Sequence, residues 1–292
     1  LYVYLNKLYG VDLPTTIEKM PTPTFNIING GKQGAGNLDF QEFHVVPAIS
    51  KPYHEALEMG EEIYQNLKKV LIYRQAVHSV GDEGGFAPNL FTNLDALAIM
   101  LEAIKGLPYI LGRDVFLGLD VAATHFKIGQ GYLIKDRPAR FETGEFIDYL
   151  KDLNRQYPLL LLEDPLEEDD WAGWKNLTAS FEGETLIVGD DLLATNSERV
   201  AQAIKEKACT AVLVKPNQTG TLTETLNVIK IAREGHLAII VSHRSGETVD
   251  TFIADLAVAV AAEYVKFGAP ARGERIAKYN RLMEIEKELK LT

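Results

Sequence analysis

Six polar residues suited to catalysis or metal binding stand at or near the ends of apolar runs in this 292-residue chain. In chain order they are Asp120, Glu163, Asp190, Lys215, His243 and Lys266. After the first interval, the number of residues between successive members is about the length of one strand–helix unit. Three carboxylates followed by three potential cations form a set that could hold a metal ion and an anionic substrate at one site.

The three carboxylates predict a site for Mg²⁺. Asp120, Glu163 and Asp190 supply only oxygen ligands, which hard divalent cations prefer. A strand-end acid can instead cap the N-terminus of a neighbouring helix, but that explanation weakens when three successive strands each carry one. No histidine or cysteine cluster offers the softer ligands of other metals. Five histidines lack ligand spacing and are expected to be structural or exposed: His44, His54, His78, His125 and His236.

A lysine is the candidate general base. Lys215 ends the apolar run AVLVK, and a buried lysine with a lowered pKa can accept a proton near neutral pH. The alternative is a structural ion pair with Asp190 or Asp191. A structural ion pair is also the alternative for Lys266, and it is favoured somewhat more there than for Lys215.

Two glutamates nearer the N-terminus are the candidate acids. Glu83 stands in the segment GDEGGFAP (81–88), whose glycines allow the backbone to approach a cleft closely. Glu42 stands in DFQEF, inside an expected strand where an unpaired carboxylate would be costly. If both groups face one interior, the pKa of one of them should be raised, and that group could serve as the acid.

These residues require strands that end at a common edge. From about residue 115 onward, apolar runs alternate with helical segments; the runs are 115–123, 159–164, 185–191, 210–217, 238–243 and 264–269. Two further runs, 24–30 and 39–47, precede helical stretches near 53–73 and 92–105. This order predicts an α/β fold, a closed barrel of the type ββαα(βα)6, whose strand ends converge on one mouth.

The helices between the runs have recognisable start and stop signals. Thr143 precedes one helical segment, and the residues 195–197 precede the next. Thr221, with Glu224 three residues later, has the spacing of a capping box. Gly235 follows that segment as an expected C-terminal cap.

Composition excludes several classes of protein. With 30 Lys and Arg against 41 Asp and Glu, the net charge is −11, and no basic stripe exists for a nucleic acid backbone. The single cysteine, Cys209, excludes a disulfide framework and favours a reducing, cytoplasmic compartment. No apolar run approaches the ~20 residues of a membrane span, and no phosphate-binding glycine motif is present.

Nine segments of the chain resemble the enolase (phosphopyruvate hydratase) family. They are FNIINGG (25–31), QEF (41–43), GDEGGFAPN (81–89), LDVAA (119–123), LEDPLEEDDW (162–171), GDDLLATN (189–196), VKPNQTGT (214–221), VSHRSGETVDTFIADLAV (241–258) and KFGAPARGERIAKYN (266–280). The resemblance implies the same ββαα(βα)6 barrel. It also implies the Mg²⁺-dependent, reversible dehydration of 2-phosphoglycerate to phosphoenolpyruvate in glycolysis and gluconeogenesis.

The resemblance assigns a role to each site residue. Asp120, Glu163 and Asp190 match the Mg²⁺ ligands. Lys215 matches the base that removes the proton from carbon 2, and Glu83 matches the acid that helps the carbon-3 hydroxyl leave, with Glu42 beside it. The residues that match those holding the phosphate and carboxylate are His243, Arg244, Ser245 and Lys266.

Two departures from the family pattern leave alternatives open. Gln33, which is expected to bind substrate, stands where the family has a histidine. Residues 1–20 resemble only the last helix and linker of the family's N-terminal capping domain, and the barrel is expected at 21–292. One alternative is another enolase-superfamily lyase acting on a different carboxylate. A second is an enolase-like barrel with lost or altered activity, retained for binding or as a scaffold. A homo-oligomer is compatible with the resemblance.

Overall fold

The computed structural model describes residues 1–9, 17–34, 36–181, 183 and 185–291. In this part of the chain eight strands close into a barrel, in the spatial order β1-β11-β10-β9-β8-β7-β3-β2. Their bounds are β1 Thr22–Asn29, β2 Glu42–Pro47, β3 Val115–Asp120, β7 Leu159–Glu163, β8 Leu186–Gly189, β9 Ala211–Val214, β10 Ala238–Ser242 and β11 Tyr264–Lys266. A small separate sheet consists of β4 Lys127–Ile128, β5 Gly131–Tyr132 and β6 Phe141–Glu142.

Helices follow the strands in the predicted order. They are α1 Tyr2–Tyr9, α2 Tyr53–Tyr73, α3 Asn93–Lys105, α4 Thr143–Gln156, α5 Trp171–Ser180, α6 Ser197–Glu206, α7 Pro216–Thr219, α8 Leu222–Glu234, α9 Phe252–Ala259 and α10 Gly273–Leu289. Strand β2 is antiparallel to both β1 and β3, and the remaining barrel pairs are parallel. The predicted ββαα(βα)6 barrel is therefore confirmed. Within the described residues, no helix is both long and apolar enough to cross a membrane.

Most strand residues are apolar on both faces because the barrel buries both; β1 and β2 also bury polar side chains such as Asn26 and His44. One buried cluster fills the inside of the barrel; its members are Val46, Leu161, Val188, Ala211, Leu213, Ile240 and Tyr264. A second, larger cluster lies between the strands and the surrounding helices. An apolar interior leaves the C-terminal mouth as the place where buried polar side chains can gather.

Strand register aligns three acidic residues at that mouth. Glu42, the first residue of β2, is paired with Asp120 at the end of β3. Asp120 is in turn paired with Glu163 at the end of β7. The row forms because β2 runs antiparallel to β3, so that the start of β2 lies beside the end of β3, which in turn lies beside the end of β7.

Local signals were predicted with mixed success. Thr221 caps α8 as expected, accepting from the Glu224 backbone N–H at 3.2 Å, but Glu142 rather than Thr143 precedes α4. Helix α8 ends before Gly235, yet the left-handed residue there is His236, with φ 59°. Gly235 is needed for close packing, since a Cβ at this position would lie 2.3 Å from Ile204. The small sheet β4–β6 had no counterpart in the sequence prediction.

Helix α1 is tied to the barrel through a buried aspartate on α9. Asp255 accepts from the Tyr2 backbone N–H at 3.1 Å and from two Arg281 nitrogens of α10, at 2.9 and 3.0 Å. Tyr2 and Leu5 are buried in the core. The helix expected at the start of the chain is thus present, whereas residues 10–16 of the expected linker lie outside the described residues, and the boundary at residue 20 stays a prediction.

Asp255→Asn is expected to lower the free energy of unfolding by about 1–3 kcal/mol, because Arg281 loses its carboxylate partner. Burial would raise the pKa of Asp255, but the hydrogen bonds and charge of Arg281 outweigh it and hold that pKa below its usual value. The ionised carboxylate therefore stabilises the fold above the unfolded-chain pKa of about 3.9. That contribution is lost as the pH falls through the lower folded-state pKa. Melting temperatures of wild type and variant should converge in acid, and a pH-independent gap would contradict this.

Candidate active site

A polar cavity of about 190 Å³ opens at the C-terminal mouth of the barrel. Ten of the residues predicted for the site line it: Gln33, Glu42, Glu83, Asp120, Asp190, Lys215, His243, Arg244, Ser245 and Lys266. Glu163 is buried below the cavity and reaches the site through Lys266. The structure therefore brings all of the predicted residues into one assembly.

The ammonium group of Lys266 lies at the centre of the acidic row. Its Nζ lies 3.1 Å from Asp120 Oδ2, 2.8 Å from both Glu163 oxygens and 3.3 Å from Glu42 Oε2. Burial would lower the pKa of Lys266, but the surrounding carboxylates raise it well above its usual range. Lys266 is therefore a fixed positive charge that compensates several buried acids.

Lys215 forms an ion pair with Asp190 Oδ2. Burial would lower the pKa of Lys215, but Asp190 outweighs burial and the pKa is raised. The sequence-based expectation of a lowered pKa was wrong for this state of the protein, because it neglected how closely the carboxylate approaches. Lys215 can act as a base only when the Asp190 oxygens are engaged elsewhere.

The pKa values of the two candidate acids are shifted in opposite directions. Burial and the nearby Glu83 carboxylate raise the pKa of Glu42 well above its usual range. Burial would also raise the pKa of Glu83, but the facing His243 ring, Lys266 and the Asn26 amide outweigh it and hold that pKa well below its usual range. Of the pair, Glu42 therefore binds a proton more readily than Glu83.

The Glu83 carboxylate is surrounded by four polar side chains from three separate segments. Asn26 Nδ2 donates to Oε2 at 3.1 Å, while Gln33 Nε2 and Ser245 Oγ donate to Oε1, each at 3.1 Å. His243 Nε2 lies 3.2 Å from Oε2. The glycine-rich loop thus presents Glu83 to the cavity, and Gln33 contributes as a neutral hydrogen-bond donor.

Three buried side-chain atoms in the lining of the cavity have no hydrogen-bond partner among the residues that the structure describes. They are Asp190 Oδ1, Gln33 Oε1 and His243 Nε2. Unpaired buried polar atoms are uncommon and call for a partner. Asp190 Oδ1 and Gln33 Oε1 are acceptors, so they suit a cation or a hydroxyl group of a ligand. His243 Nε2 could donate to an acceptor of the same ligand.

Sequence reasoning missed two acids beside the predicted metal ligands. Asp164, Asp190 and Asp191 place carboxylate oxygens within 4.8 Å of one another. Asp164 also accepts the backbone N–H groups of Asp190 and Asp191, at 3.0 and 2.8 Å. Asp164 therefore shapes the turn that presents Asp190. In the sequence, both acids could have been found because each directly adjoins a predicted metal ligand, in the segments LEDP and GDD.

The donor set fits a hard divalent cation. Besides Glu42 and Glu83, the acids at this mouth are Asp120, Glu163, Asp164, Asp190 and Asp191, and all offer oxygen only. Asp190 Oδ1 is buried and has no hydrogen-bond partner within the described part of the chain, so this oxygen can serve as a ligand. Asp120 and Glu163 instead form ion pairs with the ammonium group of Lys266, which supplies the positive charge that these two carboxylates need.

Two histidines expected to be structural or exposed also lie at this site. His125 is exposed, as expected, but lines the cavity. His44 is buried inside the barrel with Nε2 2.8 Å from Glu42 Oε2, and burial, with Lys266, lowers its pKa well below the usual value. Its position two residues after Glu42 on one strand places both side chains on the same face, which was a usable signal.

Residues 17–292, nearly the whole chain, match the protein family described as "Enolase, C-terminal TIM barrel domain". The match covers every barrel strand and all of the cavity residues named above.

Proposed function

The chain belongs to the family of enolase C-terminal TIM barrel domains, and from this premise we propose that it is an enolase. The proposed reaction is the reversible dehydration of 2-phosphoglycerate to phosphoenolpyruvate with Mg²⁺. The observation that carries the proposal is one cavity that combines a lysine, the carboxyl groups of Glu42 and Glu83 and an oxygen-only acid cluster.

The cations and donors on one side of the cavity suit a phosphorylated carboxylate. Arg244, Ser245 and His243 follow β10 and line the cavity together. Arg244 is exposed and donates to Asn217 Oδ1 at 3.0 Å, a neutral partner that a phosphate could replace. Local positive charge of this kind can hold an anion in a protein whose net charge is −11.

Lys215 is proposed to remove the proton from carbon 2. It extends from the end of β9 into the cavity, and its backbone N–H is held by Thr195 Oγ1 at 3.0 Å. Its Nζ would take the proton, and the electron pair left on carbon 2 would form the carbon–carbon double bond. The carbon-3 hydroxyl would leave as water with the proton that Glu42 and Glu83 share.

Asp120, Glu163 and Asp190 would hold Mg²⁺, which would supply positive charge to the substrate carboxylate. Asp190 Oδ2 is also the atom that pairs with Lys215 in this structure. Lys266 would add a fixed positive charge on the same side, because its raised pKa keeps it protonated. The dianionic product of proton removal would then face cations on several sides.

Gln33 favours a second candidate, a barrel that binds this class of ligand without turning it over. In the family that the sequence resembles, the same loop carries a histidine. Gln33 can donate a hydrogen bond but cannot become charged or transfer a proton. In this structure its amide is already engaged with Glu83 and Ser245, at 3.1 and 3.4 Å.

The direct test follows the ultraviolet absorbance of the enol product. The purified chain with 2-phosphoglycerate and Mg²⁺ is expected to produce phosphoenolpyruvate, and removing the metal with a chelator should stop the reaction reversibly. Calorimetric binding of Mg²⁺ and phosphoenolpyruvate without turnover would support the second candidate. Turnover of another carboxylate, with none of 2-phosphoglycerate, would indicate a different enolase-superfamily lyase.

A further inference from the structure

A buried arginine outside the cavity contacts the loop that carries the anion-binding residues. Arg275, in the first turn of α10, is completely buried. Its Nη1 lies 2.6 Å from His243 Nδ1 and donates to the Arg244 carbonyl at 2.7 Å. Its Nη2 donates to the carbonyls of Ser245 and Asp82, at 2.6 and 3.0 Å.

The position is unfavourable for a cation unless these contacts compensate. Positive charge is disfavoured near a helix N-terminus, and a buried guanidinium needs acceptors for its donors. Three carbonyls and one ring nitrogen accept from Nη1 and Nη2, from the loop after β10 and from the loop that carries Glu83. Nε has no hydrogen-bond partner among the described residues and lies 3.8 Å from Glu274 Oε1. Arg275 therefore joins the two loops that meet across the cavity.

The contact with His243 determines where the imidazole carries its proton. A guanidinium has donors only and does not lose its proton in proteins. The facing Nδ1 must therefore accept, which leaves the single ring proton on Nε2. That nitrogen lies 3.2 Å from Glu83 Oε2, without a hydrogen bond of normal geometry.

We propose that Arg275 is a positioning residue that fixes His243 as the neutral Nε2–H tautomer and so directs an N–H donor toward Glu83 and the cavity. The catalytic consequence rests on the proposed function, because a donor at this place serves an anionic substrate. The packing leaves little freedom for the pair: a Cβ at Gly268 would lie 3.1 Å from His243 Cε1 and 3.2 Å from Arg275 Cδ.

Lys278, three residues later on the same helix, provides a matched control. It is also buried, and its Nζ contacts the Thr248 carbonyl at 2.8 Å and Glu247 Oε2 at 2.7 Å. Glu247 in turn accepts from the Arg244 backbone N–H at 3.2 Å. Lys278 thus anchors the same loop without touching His243, so that loop anchoring and tautomer selection can be separated.

The proposal is tested by ¹⁵N NMR of the histidine rings in the full chain without substrate, with His243→Gln to identify the signal. In wild type, His243 should be protonated on Nε2 and unprotonated on Nδ1. Arg275→Met should give a tautomer mixture or a protonated ring, whereas Arg275→Lys, which keeps a donor, and Lys278→Met should retain the wild-type tautomer. A proton on Nδ1 in wild type would overturn the proposal, as would an unchanged tautomer in Arg275→Met. If Arg275→Met does not fold, wild type and Arg275→Lys still decide the question.

Turnover gives a second and separable result. Arg275→Met should lower kcat for 2-phosphoglycerate by about 10²-fold, the scale of a misplaced group near the reacting atoms. Arg275→Lys should recover part of that loss. A wild-type chain with the expected tautomer and no turnover would contradict the proposed function alone. Full turnover in Arg275→Met with a changed tautomer would contradict the positioning role alone.

Discussion

Lys215→Ala is expected to lower kcat for 2-phosphoglycerate by about 10²- to 10⁴-fold, the contribution of a general base in proton abstraction. Lys215 is the cavity lysine paired with a single carboxylate, that of Asp190, whereas Lys266 is held among several. Without that contact, burial and the charge of Lys266 would act to lower the pKa of Lys215, as a base requires. The measurement is product absorbance under saturating substrate, with circular dichroism to verify the fold.

Exchange of the carbon-2 proton with deuterated water distinguishes a base from a binding residue. In Lys215→Ala the exchange should fall together with turnover, because both require removal of that proton. Lys205→Ala is the matched control, since Lys205 is an exposed lysine of α6. Exchange at the wild-type rate in Lys215→Ala would exclude Lys215 as the base, even if turnover were slow.

The barrel and the assembly of the site could be predicted from the sequence because both follow from local patterns. Strands buried on both faces are recognisable as continuous apolar runs, and parallel strands bring their C-terminal residues to one mouth. Asp120 and Glu163 were located by this rule and lie side by side in register. Glu42 required one more step, the antiparallel direction of β2, which the sequence pattern does not reveal by itself.

Charge states could not be predicted in the same way, because they depend on distances of a few ångströms between residues far apart in the chain. Lys215 was expected to have a lowered pKa, and its contact with Asp190 raises it. Glu42 and Glu83 were interchangeable in the sequence and differ only through their neighbours. Arg275 gave no signal at all, since a buried arginine and an exposed one look alike in sequence.

The acidic row depends on a single buried lysine. Glu42, Asp120 and Glu163 are buried at adjacent strand ends, where each carboxylate raises the energy of the next. Burial and Asp120 raise the pKa of Glu163 well above its usual range. Lys266, 3 % exposed, contacts all three acids. Removing the charge of Lys266 should therefore affect folding as well as function.

Lys266→Met is expected to lower the free energy of unfolding by about 3–5 kcal/mol, the cost of breaking a buried ion pair from one side. This corresponds to a fall in melting temperature on the order of 10 °C. Added Mg²⁺ should stabilise the variant more than wild type, because the freed carboxylates become ligands and binding to the folded state adds to its stability. Lys127→Met is the control, since its pair with Glu167 is partly exposed and worth at most about 1 kcal/mol. Wild-type stability in Lys266→Met without metal would show that the acids are uncharged when Lys266 is absent, and the acidic row would then not require its cation.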